Sequence, residues 1–189
     1  MQMSGASKAG DLYVALLRGI NVGGKNRLSM KDLVAIFAEA GCDDVQTYIQ
    51  SGNVVFRAAE AHASRIPARI TTAISGRLGF RAPVVMRTAG ELRTIARGNP
   101  FLRAGADPDA LHVMFLSDRP PPRKVAALDP KRSPPDEFEV RGREIYLRCP
   151  NGVARTKLTN AYFDTKLSTT STMRNWRTVL KLVELAGEP

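Results

Sequence analysis

Residues 45–57 read VQTYIQSGNVVFR. Two runs suited to strands, Val45 to Gln50 and Asn53 to Arg57, flank the dipeptide Ser51-Gly52, the pattern of a two-residue β-hairpin. A hairpin makes its sheet antiparallel at that point, so the elements on either side decide the architecture. Upstream, residues 11–30 read DLYVALLRGINVGGKNRLSM. The apolar run predicts a strand over Leu12 to Arg18 that breaks into a loop rich in glycine and asparagine. A helix opens at Ser29, where Ser29 and Asp32 form a weakened capping box. Met30, Leu33, Val34 and Phe37 share one of its faces, and Gly41 suits its end. Downstream, the spacing of Ile66, Ile70, Ala73, Ile74 and Leu78 predicts a helix over about 62–79, followed by a strand from Pro83 to Arg87. The order β-α-β-β-α-β is the ferredoxin-like arrangement.

The pattern then starts again. Residues 89–109 read as a connector with a short helix and a turn at Asn99-Pro100. Leu111 to Leu116 is a buried type of strand, and Pro121 to Leu128 a short helix with prolines where a helix start tolerates them. Asp136 to Val140 and Arg143 to Arg148 flank a second hairpin at Arg141-Gly142. Pairing Val140 with Arg143 sets Phe138 opposite Ile145. Helical segments follow at about 157–167 and 173–186, the last with Trp176, Val179, Leu180 and Val183 at helical spacing. The second half echoes the first as β-α-β-β-α with a different ending. The expectation is an α+β protein of duplicated ferredoxin-like lobes packed together: a flexible tail at 1–10, an N-terminal lobe at 11–88, the connector at 89–109, and a C-terminal lobe with terminal helices at 110–189.

With 189 residues, 43% of them hydrophobic, the chain can bury one sizeable core or two small lobes sharing one. No apolar run approaches the roughly 20 residues that span a bilayer, and MQMSGASKAG at the start lacks the apolar segment of a signal peptide. A cytoplasmic protein with no membrane partner is expected. Cys42 and Cys149 lie far apart, would stay reduced in such a compartment, and show no metal-ligand spacing. His62 and His112 are equally isolated. No metal and no cofactor is therefore expected. The net charge of +10 comes with 20 arginines and 8 lysines, and nine of the arginines lie from Arg57 to Arg103 against only Glu60 and Glu91. Such a field attracts phosphates and acidic partners, or is a solvated basic face. Nothing in the sequence fixes an oligomeric state.

Gly19 to Asn26 reads GINVGGKN, which fits G-x-x-x-x-G-K but carries Asn26 where a P-loop needs a hydroxyl for magnesium. A P-loop also requires a parallel sheet, against two predicted hairpins, and a helix starting at the lysine rather than at Ser29. A milder function is an anion site. Gly23 and Gly24 would offer backbone N–H groups, Lys25 and Arg18 would neutralise the anion, and Asn21 and Asn26 would orient it. The alternative is turn chemistry, with the asparagines closing a tight loop. The Gln50 to Asn53 hairpin tip is expected at the opposite end of the sheet from this loop. Near the C-terminus, Arg155 to Asn160 and Thr172 to Trp176 open predicted helices. They place cations where the helix dipole disfavours them unless an anion is bound. Lys157, Asn160, Arg174 and Asn175 are the second set of anion-site candidates. The plain alternative makes Thr156 and Thr172 N-caps and Trp176 a core residue. No carboxylate pair or nucleophile elbow stands out, so no catalytic residue is assigned.

Together these segments resemble one bacterial family, domain of unknown function 1697. The resemblance is carried by Ala15 to Asn26 (ALLRGINVGGKN), Thr47 to Phe56 (TYIQSGNVVF), Asn99-Pro100-Phe101, Thr156 to Asn160 (TKLTN) and Arg174-Asn175-Trp176, and runs from about Leu12 to Ala186. It implies an α+β protein with a duplicated ferredoxin-like layout and supplies no established activity. Thr156 stands where the family often has serine, which keeps the hydroxyl.

Three function classes follow. The first is a binding protein for a phosphate-bearing partner, a small molecule such as a nucleotide, or nucleic acid. The second is an enzyme acting on a small phosphorylated or carboxylated metabolite. The third is an interaction protein with no small ligand. For nucleic acid the critical point is the aromatic set: RNA-reading sheets stack bases on exposed rings, and Tyr48, Phe56 and Tyr146 lie on predicted strands here.

Overall fold

The computed structural model describes residues 10–187; of the tail expected at 1–10, all but Gly10 lies outside the described residues. The first half contains β1 (Asp11–Leu17), α1 (Met30–Glu39), β2 (Asp43–Tyr48), β3 (Asn53–Ala58), α2 (Glu60–Ala63), α3 (Ile66–Leu78) and β4 (Val84–Thr88). Two helices, α4 (Ala89–Arg97) and α5 (Pro100–Arg103), and a 3-10 turn at Pro108–Ala110 lead to the second half. It holds β5 (Leu111–Leu116), α6 (Pro122–Ala126), β6 (Glu137–Arg141), β7 (Glu144–Arg148), α7 (Asn160–Leu167), β8 (Ser171–Asn175) and α8 (Trp176–Leu185). The result is a mixed α+β protein with two four-stranded antiparallel sheets, ordered β2-β3-β1-β4 and β6-β7-β5-β8. The two orders correspond strand for strand.

Antiparallel strands usually alternate apolar and polar, yet β1 is buried from Tyr13 to Leu17 and β5 along its whole length. Both faces of each sheet are covered, which removes the alternation. Tyr13, Ala15 and Leu17 face α1 and α3, while Val14 and Leu16 face a central cluster. On β5 the pattern repeats: Met114 and Leu116 face α7, whereas Leu111, Val113 and Phe115 face the same central cluster. Leu92 and Ile95 of α4 and Trp176, Val179, Leu182 and Val183 of α8 complete that cluster. The two sheets therefore share one core, and Trp176 is a core residue, 2% exposed.

Several details differ from the sequence reading. The first hairpin has a four-residue loop, Ile49 to Gly52, because Tyr48 pairs with Asn53; Ile49 and Gly52 both take positive φ. In the second hairpin Val140 pairs with Ile145, Phe138 with Leu147, and Arg141 with Glu144, so the turn is Gly142-Arg143. Glycine comes first there because its φ is +62°. The helix expected at 62–79 is two pieces, and Leu78 at its end is exposed. Leu180 is exposed as well, its expected place on the buried stripe taken by Leu182. Asn160 opens α7 with Thr159 as N-cap, and Trp176 opens α8 with Asn175 as N-cap; Thr156 and Thr172 do not cap. Thr172 to Asn175 belongs to β8, which pairs with β5. Strand β8 thus closes the second set of strands as β4 closes the first, and a helix follows each.

Candidate functional site

The loop after β1 is held by its own asparagines. Asn21 donates from Nδ2 to Leu28 O at 2.8 Å and Gln50 O at 3.0 Å, and its Oδ1 accepts from Leu28 N at 2.9 Å. Asn26 Nδ2 donates to Gly19 O at 2.8 Å, and Asn21 N donates to Asn26 O at 3.0 Å. Both asparagines sit at φ near +54°, a conformation Asn tolerates better than most residues. Gly23 and Gly24 lie between them at φ +57° and +75°, where a short bridge pairs Val22 with Lys25.

The Gln50 to Asn53 turn lies at the same end of the sheet as this loop, which corrects the sequence expectation. Leu17 N donates to Gly52 O at 2.8 Å, and Asn21 reaches Gln50 O. The reason is topological. A helical crossover returns β2 in the same direction as β1, so the C-terminal ends of both strands share one edge.

The loop opens beside the start of α1, where Ser29 Oγ accepts from Asp32 N at 3.0 Å. A cleft of about 370 Å³ forms there, lined by Asn21, Gly24, Arg27, Leu28, Ser29 and Gln50. Lys25 and Arg27 are exposed, and neither side chain has a hydrogen-bond or ion-pair partner among the described residues. Among the described residues no carboxylate, histidine or cysteine lines the cleft. Arg27, Ser29 and Gln50 were not among the sequence candidates; the signal for Arg27 was its place two residues after Lys25.

The other candidates are positioned differently. Arg18 Nη1 donates to Asp164 Oδ2 at 2.6 Å and to Ser171 O at 2.9 Å. Ser171 Oγ donates to Asp164 Oδ1 at 2.6 Å and accepts from Asn160 Nδ2 at 2.8 Å. Arg18 and Asn160 therefore belong to one polar network joining the two halves. Asn175 Oδ1 accepts from Thr178 N at 2.8 Å as the cap of α8. Lys157 is exposed and does not line the cleft beside Arg27.

Arg174 crosses to the first sheet. Its Nε donates to Asn53 Oδ1 at 2.5 Å, Nη2 to Leu17 O at 2.7 Å and Ser51 O at 3.2 Å, and Nη1 to Thr172 Oγ1 and Met173 O at 2.8 Å. Desolvation pushes its pKa down to about 10, since no carboxylate stands against it. Its counterpart, Arg87, is 2% exposed and was missed. Arg87 Nη2 donates to Leu116 O at 2.8 Å and Arg143 O at 2.9 Å, and Nε to Glu144 Oε1 at 2.8 Å. The available signal was Met86-Arg87-Thr88 against Met173-Arg174-Asn175, each set immediately before a helix.

The strand aromatics are not displayed for stacking. Phe56 and Tyr146 are buried, with the Tyr146 hydroxyl donating to Ile95 O, and Tyr48 packs against the central cluster.

The family model described as "Protein of unknown function (DUF1697)" matches residues 11–146, well over half of the chain. The chain belongs to the DUF1697 family. The match covers the braced loop, the first hairpin, Arg87 and the start of the second sheet. Among solved structures, this DUF1697 protein is similar to the conserved bacterial protein SP0830 from Streptococcus pneumoniae, with 20% identity, a TM-score of 0.71, and coverage of 95% of this chain and 100% of that one. At that identity the likeness is one of fold. No curated protein matches the chain.

Proposed function

We propose that this DUF1697 protein binds a phosphate-bearing ligand at the loop from Gly23 to Arg27. One observation carries the reading. Asn21 and Asn26 brace the loop through their side chains, while Lys25 and Arg27 stand exposed without partners among the described residues at the N-terminal end of α1. A braced backbone with positive-φ glycines, two free cations and a helix start is suited to an anion, because N–H groups and the helix dipole act in the same direction. Arg18, Asn160, Arg174 and Asn175 contribute by holding the surrounding framework. Two observations favour binding over catalysis and over base stacking: among the described residues no carboxylate, histidine or cysteine lines the cleft, and Phe56 and Tyr146 are buried while Tyr48 packs against the central cluster. A nucleotide phosphate is accordingly favoured over nucleic acid. The matching strand orders support a duplicated ferredoxin-like layout as the scaffold.

A thermal-shift series with nucleotides, inorganic phosphate and short RNA, at low and moderate salt, tests the reading. A ligand at 100 times its Kd stabilises by about 2.7 kcal/mol, or roughly 5–10 °C for a chain of this size. The reading expects a nucleotide shift that survives moderate salt and is lost in Lys25→Ala/Arg27→Ala. Shifts with every polyanion that vanish with salt would reduce the charge to a non-specific field.

A further inference from the structure

The two halves of the molecule meet at two equivalent junctions, and among the described residues only one is filled by side chains. Backbone hydrogen bonds fix the correspondence. Arg18 N donates to Pro83 O at 2.9 Å, and Ser117 N donates to Thr170 O at 2.8 Å, so Arg18 and Ser117 are counterparts just past β1 and β5. Gly79 and Ser168 are left-handed C-caps of α3 and α7, bonding back to Ser75 O and Asp164 O, so Ser75 and Asp164 correspond. Val84 and Ser171 begin β4 and β8.

At one junction Arg18, Asp164 and Ser171 form the bonded network described above. At the other, the same three positions are Ser117, Ser75 and Val84. Small residues replace an arginine and an aspartate, and a cleft of about 630 Å³ remains between α3, β4 and the second sheet. All three counterpart residues line it, with Thr72, Thr170 and Arg81. The volume is that of a small-molecule site. Arg81 is exposed and its guanidinium has no partner among the described residues. Past Arg81, Pro83 and Thr170 the cleft continues toward Arg18 and Gly19.

We propose that this cleft is a second binding site, one for the phosphate monoester of a small polyol. Arg81 is the group that takes the phosphate, because a free guanidinium matches its oxygens in a bidentate fork. The hydroxyls of Thr72, Ser75 and Thr170 can each donate and accept, which suits the hydroxyl groups of a sugar. Among the described residues the lining has no aromatic ring, so a nucleobase would find no stacking surface there. The site does not depend on the Lys25 loop.

Calorimetric titration of the full chain at about 150 mM salt, where long-range attraction is screened, tests the assignment with ribose 5-phosphate, glycerol 3-phosphate, inorganic phosphate and ribose. The sugar phosphate is expected to bind more tightly than inorganic phosphate, and ribose not to register. Arg81→Ala should weaken binding at least about tenfold. Measured in the Lys25→Ala/Arg27→Ala background, where the loop cannot contribute, the pair Ser75→Asp and Ser117→Arg rebuilds the filled junction and should abolish binding without lowering the Tm. If the rebuilt pair does not fold, Arg81→Ala, an exposed substitution, still decides the question. No binding of either polyol phosphate in that background, or binding indifferent to Arg81, would overturn the proposal.

Discussion

Arg87 and Arg174 hold equivalent posts, each the fourth residue of its sheet's edge strand and each bonded across to the other sheet. Arg87 Nη2 donates to the last carbonyl of β5, Leu116 O, at 2.8 Å; Arg174 Nη2 donates to the last carbonyl of β1, Leu17 O, at 2.7 Å. Each Nη1 donates to the carbonyl of the preceding methionine, at 2.7 and 2.8 Å. The difference is charge. Nε of Arg87 meets the Glu144 carboxylate, whereas Nε of Arg174 meets the Asn53 amide. Burial lowers the pKa of both arginines, but only Arg87 has a carboxylate pulling it back up.

That asymmetry predicts unequal costs of removal. Arg87→Ala leaves Glu144 without its partner, and breaking a buried pair in this way costs about 3–5 kcal/mol. Arg174→Ala orphans neutral acceptors only, at about 1–3 kcal/mol. Denaturant unfolding of the two variants should rank Arg87→Ala as the more damaging. The reverse order would mean that Glu144 is well solvated once its arginine is gone.

The braced loop predicts a contrast between neighbours. Asn21→Gly keeps the positive φ accessible but deletes three side-chain bonds, so it should cost about 1–3 kcal/mol of stability. Lys25→Ala removes an exposed side chain and should stay within about 0.5 kcal/mol of the parent. Thermal unfolding of both variants without ligand separates bracing from binding. Equal losses would make Lys25 structural.

Most of the fold was legible because its signals are local. The apolar runs of β1 and β5, the Ser29 cap and the isoleucine stripe of α3 each announce an element within a dozen residues. Strand β8 was not legible as a strand. Its buried side chains include Ser171 and Thr172, and Arg174 reaches across to the other sheet, so no apolar alternation appears. The meeting of the Gly19–Leu28 loop with Gln50 was misread although the strand order alone determines it. Of the site, Lys25 and the two glycines could be read from sequence. The bracing role of Asn21 and the interlobe roles of Arg18 and Arg174 depend on contacts up to 157 positions away, which no local pattern encodes.

The thiols of Cys42 and Cys149 lie in the two outer clusters, and burial pushes the pKa of each up to about 11. Since the thiolate is the reactive form, neither should react with a disulfide reagent in the native protein at neutral pH. The shared central cluster couples the halves, so both cysteines should label at one rate as denaturant is raised. Two distinct rates would show that the halves open separately.

His112 is 8% exposed, and its Nδ1 has no hydrogen-bond partner among the described residues. Desolvation holds its pKa below the usual 6.5, against a smaller opposing effect of the Ala110 backbone. The native state therefore binds fewer protons than the unfolded chain near the unfolded pKa. Its stabilising contribution is present above about 6.5 and is lost as pH falls toward the native value. Unfolding free energies at pH 7.5, 6.5 and 5.5 should decline in the parent and flatten in His112→Gln. An equal decline in both would assign the pH dependence elsewhere.

Backbone amide NMR decides whether the loop around Lys25 binds a phosphate-bearing ligand. Titration with ATP, in about 150 mM salt to screen long-range attraction, should shift the amide signals of Gly23, Gly24 and Lys25 first and saturably, with the Lys25→Ala/Arg27→Ala protein showing no such response. Saturable shifts elsewhere in the chain while the Gly23 and Gly24 amides stay fixed would contradict the account and leave this loop a braced turn.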